Sequence, residues 1–156
     1  MEPAMDGLDE LYMEIILDHY RDPRNRGELA PPAHMAEGFN PMCGDEIKVF
    51  LDIENNLIKE IRIGGQGCSI SQASASMMTT LIEGKTIEEV HHISKAFKSM
   101  MAIHEEGEEG VIDDVDLGDL EALQGVVQVP LRIKCAILSW HTLEQGLKEI
   151  AASTQE

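Results

Sequence analysis

The stretch 46–65, "EIKVFLDIENNLIKEIRIGG", decides the fold, because here the apolar pattern takes a period of two. Ile47, Val49, Leu51 and Ile53 alternate with Lys48, Phe50 and Asp52, and beyond "ENN" Leu57, Lys59, Ile61 and Ile63 alternate again. That pattern predicts a β-hairpin. A three-residue connection over 54–56, with an Asn in the left-handed position, pairs Ile53 with Leu57 and Ile47 with Ile63 and leaves one face almost wholly apolar. A two-residue turn would put Glu60 and Arg62 on that face, so the longer loop is expected. Extended outward, the same register sets Cys43 opposite Gly67, beside Cys68, and Asp45 opposite Gly65. A weaker signal over 36–40 adds a short third strand.

The flanks read as helices. Leu8, Leu11, Tyr12, Ile15, Ile16 and His19 share one helical face, which "RDPRNRG" closes with proline and glycine, and "ELAPPAH" connects onward. Small residues dominate a helix expected over 69–82 and closed by Gly84. Thr86, with Glu89 three residues on, opens another with a capping box, running to about Met101. Eight acidic residues and three glycines between His104 and Asp119 predict a solvated excursion over 104–119. A short helix near 117–123 follows, and Pro130 starts the last helix, with Ile133, Ile137, Trp140, Leu147 and Ile150 near one face. The expected fold class is α+β, a small antiparallel β-sheet of about three strands packed against helices, in one compact domain over 1–156.

Composition narrows the functions. A chain of 156 residues with 29 Asp+Glu against 12 Lys+Arg carries a formal charge of −17, which repels phosphate backbones and anionic lipid, so neither nucleic acid nor membrane is an expected partner. The uncharged run 64–82 is too rich in Ser, Thr, Gln and Gly to span a bilayer. "MEPAMDGLDE" lacks the basic and apolar regions of a secretory signal, which points to a cytoplasmic protein. Three widely spaced cysteines argue against a disulfide framework and leave buried thiols, metal ligands or catalytic thiols.

Cys43 and Asp45 are expected on one strand edge, aimed at the helix-bearing side, with Cys68 at the next strand-to-helix turn, where free N–H groups suit a negatively charged sulfur. Cys135 falls near the start of the last helix. Three thiolates and a carboxylate suit a tetrahedral divalent metal, zinc by default or iron, and the oxygen ligand gives a corner that is more easily displaced. The plainer reading stands beside it: an isolated cysteine is commonly a small buried apolar residue, and an aspartate after glycine a turn-former. His91, His92 and His141 read as surface or core-edge residues, and the pairs Met77–Met78 and Met100–Met101 as core filling. "GGQGC" lacks the Gly-Lys-Ser/Thr ending of a phosphate loop.

"HYRDPRNRG", "NPMCGDEI", "GQGCSISQASASMM" and "RIKCAILSW", in that order, resemble the signatures of the IscU/NifU N-terminal family of iron–sulfur cluster assembly proteins, and within it the SufU branch. The resemblance spans about Leu11 to Lys148. It implies that Cys43, Asp45, Cys68 and Cys135 form the metal site, that zinc is the metal, and that a SufS-like cysteine desulfurase is the partner. It further implies that Cys43 accepts the persulfide sulfur, freed from the metal by ligand exchange, and that the recipients are apo iron–sulfur proteins or a downstream Suf scaffold. On this reading the protein is a sulfur carrier, in effect a zinc-dependent sulfurtransferase. The alternative is a scaffold on which a [2Fe–2S] cluster is assembled on the same ligands. IscU-type scaffolds carry a histidine just before the last cysteine; Lys134 stands there in this chain and supplies a candidate positive charge. They also carry a proline-rich chaperone motif where this chain has "VPLRIKC". Both departures favour the SufU branch.

Overall fold

The computed structural model describes residues 7–101 and 115–154. In chain order they form α1 (Gly7–Arg21), β1 (His34–Asn40), β2 (Asp45–Glu54), β3 (Leu57–Gln66), α2 (Ser69–Ile82), α3 (Ile87–Met100), a 3-10 helix (Gly118–Gln128) and α4 (Pro130–Thr154). The antiparallel sheet has the order β1-β2-β3. One face is covered by helices: α4 lies against β1 and β2, and α2 against β3. Ile47, Val49, Leu51, Ile58, Ile61 and Ile63 point into this interface and are buried. The architecture is the expected α+β one, with the weakly signalled third strand present as β1. Most of the acidic stretch expected over 104–119 lies outside the described residues.

The hairpin register differs from the expected one. The turn has two residues, Asn55 and Asn56, both with positive φ (56° and 65°), the mirror-image turn that suits the twist of a hairpin. Glu54 pairs with Leu57 and Ile53 with Ile58, but Asp52 already faces Glu60, so Lys59 is an extra residue bulged out of β3. The bulge removes the objection to a short turn, since it rotates Glu60 and Arg62 off the apolar face and sets Leu51 against Ile61 and Val49 against Ile63. Leu57 is therefore exposed and Ile58 takes the inward place. Alternation fixed which face is apolar but not which residues pair. Ile47 meets Gly65, two positions from the expected partner Ile63.

α2 contacts α1, α4, β3 and the 3-10 helix, and so it buries nearly all its circumference: Ser71 through Thr79 are all buried. Small side chains let four neighbours approach, and each buried hydroxyl left unpaired would cost about 1–3 kcal/mol. They are paired. Ser74 donates to the Ala136 carbonyl (2.6 Å), Thr79 to the Ser76 carbonyl (2.7 Å), and Ser76 accepts from the Arg24 amide (2.8 Å). His19 bridges Ser76 and Asp119, 2.8 Å to each, and ties α1 to α2 and the 3-10 helix. The loop after α1 is pinned too: Asn25 donates to Thr79 (3.0 Å), the Ile63 amide donates to the Asn25 carbonyl (3.0 Å) and the Gly27 amide to the Ile63 carbonyl (3.0 Å).

α3 starts at the expected capping box. Glu89 N donates to Thr86 Oγ1 (3.1 Å) and Thr86 N to Glu89 Oε1 (2.9 Å). Phe97 stacks on Trp140 of α4 with centroids 5.1 Å apart, and buried Met77, Met78 and Met101 fill the core around them. Beside this stack Lys98, itself buried, donates to Glu144 Oε1 (2.7 Å), while Ser94 donates to Glu144 Oε2.

Candidate metal centre

The site lies at the end of the hairpin opposite the Asn55–Asn56 turn. Asp45 opens β2, is completely buried, and pairs across the sheet with Asn40, the last residue of β1. Cys43 is not on the strand as expected; it sits in the turn 41–44, its amide donating to the Asn40 carbonyl (3.3 Å). Gly44, at φ 70°, reverses the chain there. Strand alternation consequently does not aim Cys43. The turn does, carrying its sulfur to 3.3 Å from the buried Cys135 sulfur on α4 while leaving Cys43 exposed.

Cys68 caps the N-terminus of α2, where its sulfur accepts the Ser71 amide hydrogen at 3.4 Å. Its own amide donates to Asp45 Oδ1 (2.9 Å), and its sulfur stands 3.9 Å from Asp45 Oδ2. The corrected register sets Asp45 level with Gly67, not Gly65. Gly67 has no room for a side chain, since a Cβ there would run into Asp45 Oδ1 and lie 2.8 Å from Ser71 Oγ.

Ligand atoms of Cys43, Asp45 and Cys135 all lie within 4.8 Å of one another, and Cys68 joins this group through Asp45. Around a tetrahedral zinc with bonds near 2.3 Å, sulfurs stand about 3.8 Å apart, so Cys43, Asp45 and Cys135 need only small adjustments to share an ion. Burial pushes the Cys135 thiol far up from its ordinary value of 9.0, and contact with Asp45, Cys43 and Cys68 pushes it further. Sulfur donors beside a carboxylate suit a divalent metal such as zinc or iron, whose charge would offset that of its ligands. The donor set therefore fits zinc or iron. Among the described residues no histidine joins the cluster; His91, His92 and His141 are exposed.

Two contributors were not read from the sequence. Asn40 Nδ2 points at Cys135 Sγ (3.8 Å), a relation visible only once the β1–β2 register is known. Arg132 has its guanidinium held charged above the ordinary value, first by a hydrogen bond to Cys135 and then by the charge of Cys68, with Cys43 adding to it. Its signal was available, because Pro130 sets the phase of α4 and residues three apart share a helix face. Lys134, the cation expected near the site, is exposed.

Residues 11–136 match the model of the NifU-like N-terminal domain. The chain is 48% identical over 140 residues to a protein of Bacillus subtilis named zinc-dependent sulfurtransferase SufU, with 90% of this chain and 91% of that protein covered. It is 37% identical to an iron–sulfur cluster assembly scaffold protein IscU of Thermotoga maritima, covering 90% of this chain and 95% of the relative. The crystal structure of the N-terminal part of a nitrogen-fixing NifU-like protein from Brucella abortus shares the fold at 20% identity, with a TM-score of 0.78 over 94% of this chain and 99% of that one. The chain belongs to the family of NifU-like N-terminal domains, the group of iron–sulfur cluster assembly proteins that includes the SufU and IscU types.

Proposed function

We propose that the protein is a sulfur acceptor of iron–sulfur cluster assembly, holding zinc on Cys43, Asp45, Cys68 and Cys135 and taking persulfide sulfur from a cysteine desulfurase on Cys43. The observation that carries this reading is the asymmetry of the cluster: an exposed thiol, Cys43, lies over a fully buried carboxylate and a fully buried thiol. A partner can reach only the first of these. Bound zinc would keep the cysteines deprotonated near neutral pH. The Cys43 thiolate attacks the terminal sulfur of the partner's persulfide, a new S–S bond forms to Cys43, and the desulfurase cysteine leaves as thiolate, with no net oxidation. Arg132 offsets the negative charge gathered at the site. Exposed Met42 and Leu131, one and four residues from Cys43 and Cys135 in sequence, offer apolar surface to a protein partner. Apo iron–sulfur proteins or a Suf scaffold then receive the sulfur.

Incubation with a cysteine desulfurase and 35S-cysteine tests the reading. Wild-type protein should gain one reducible label per chain, and Cys43→Ala almost none; equal labelling of the two rejects Cys43 as acceptor. A second reading, a [2Fe–2S] scaffold on the same ligands, draws on the relatives named IscU. Co-purification of iron and acid-labile sulfide with a coloured protein would favour it.

A further inference from the structure

We propose that Arg26 is a positioning residue that holds the Cys68 corner of the site, acting from the loop after α1. The segment leading into Cys68 contains Gly64, Gly65 and Gly67, so its own backbone preferences define its path poorly. The β2–β3 ladder holds Gly64 and Gly65 but ends at the pair Glu46–Gln66, so Gly67 and Cys68 lie past it. Arg26 spans this end, from the last rungs of the ladder to the first turn of α2. Its Nη2 donates to the Gly65 carbonyl at 2.6 Å, and its Nη1 reaches Gln72 Oε1 at 3.5 Å.

One guanidinium thus holds a residue three before Cys68 and another four after it. The planar fork of arginine suits two acceptors at once, where a lysine would hold one. From Gln72 the contacts run on to the cysteine: Gln72 Nε2 donates to Ser71 Oγ (3.2 Å), and Ser71 Oγ donates to the Cys68 carbonyl (3.1 Å). The anchor of Arg26 is firm as well, since Asn25 and Gly27 on either side are bonded to Ile63 and Asn25 also to Thr79. A surface arginine therefore fixes the turn that presents Cys68 and faces Asp45. The metal-binding half of this inference rests on Cys68 being a ligand; the half concerning the turn does not.

Both halves are read on full-length Arg26→Ala, Arg26→Lys and Arg62→Ala. Arg62 is the control, an arginine on β3 bonded to Glu60 and Glu83. In metal-free protein, iodoacetamide modification of Cys68, followed by peptide mass spectrometry, should quicken about fivefold in Arg26→Ala. Arg26→Lys, which keeps one of the two bonds, should recover part of the protection, and Arg62→Ala should match wild type. In the metal-bound protein, cobalt(II) competition should show affinity roughly tenfold weaker for Arg26→Ala, the lower end for an outer residue of a metal site. Unchanged Cys68 modification in Arg26→Ala, or an equal rise in Arg62→Ala, overturns the proposal. If Cys68→Ala keeps full cobalt affinity, the ligand reading of Cys68 fails, and the modification rates still judge Arg26.

Discussion

Cys43 is exposed and Cys135 buried, yet their sulfurs lie 3.3 Å apart. This contrast comes from backbone, not from the thiols. A left-handed Gly44 swings the turn 41–44 over the first turns of α4, and Asp45 is drawn inward as the first residue of β2. Gly67 is the residue on which the arrangement depends most narrowly. A methyl group there meets the Asp45 carboxylate and Ser71 Oγ at once, so Gly67→Ala should cost about 1–3 kcal/mol of stability in urea titrations of the metal-free protein. It should also weaken metal binding, while Gly125→Ala, where a Cβ meets open space, should do neither. Of the site, the four candidate ligands were readable as residue types in order along the chain. Asn40 is not legible because its role depends on strand register, whereas Arg132, three residues before Cys135 on α4, is marked by helix phase alone.

Hairpin and helices differ in how far sequence defines them. α2 and α3 begin and end where small residues, Gly84 and the Thr86–Glu89 box say they should, since caps are local chemistry within four residues. The hairpin turn differs from the expected one because the apolar pattern reports only the parity of a face. A two-residue turn plus a bulge at Lys59 satisfies that parity as well as a three-residue loop does, and the pair Asn55–Asn56, both able to take positive φ, decides between them. Between α3 and α4, Lys98 and Glu144 set another local requirement. Burial raises the Glu144 carboxyl, but hydrogen bonds from Lys98 and Ser94 outweigh it and hold the group below its ordinary 4.5. A lowered folded-state value means the contribution is complete above 4.5 and is lost as pH falls through the folded value. Stability from chemical denaturation should therefore fall more steeply below about pH 4.5 in wild type than in Glu144→Gln. Lys98→Met, which leaves Glu144 without this counter-charge, should cost about 3 kcal/mol near pH 7, the low end for a broken buried pair because Glu144 keeps 24% of its side-chain surface.

Taken as a whole, the molecule is a three-stranded sheet with one helical layer, and its chemistry gathers where the 41–44 turn, the entry to α2 and the start of α4 meet. Three cysteines spread across most of the chain come together only because β2 begins where β3 ends and α4 packs across β1 and β2. The family resemblance implies Cys135 as a member of the set, and the expected hairpin register sets Cys68 beside Cys43; the structure, its register two residues out but on the same face, sets Cys68 beside Asp45 instead. No described helix is long and apolar enough to cross a membrane, and a charge of −17 concentrates interest on the few cations near the thiols. The central claim is that these four residues share one zinc ion. Zinc K-edge X-ray absorption on protein purified without oxygen tests it most directly. The account predicts stoichiometric zinc with three sulfurs at about 2.3 Å and one oxygen at about 2.0–2.2 Å, one sulfur fewer in Cys43→Ala. A zinc shell without sulfur, or iron with acid-labile sulfide in place of zinc, would contradict it.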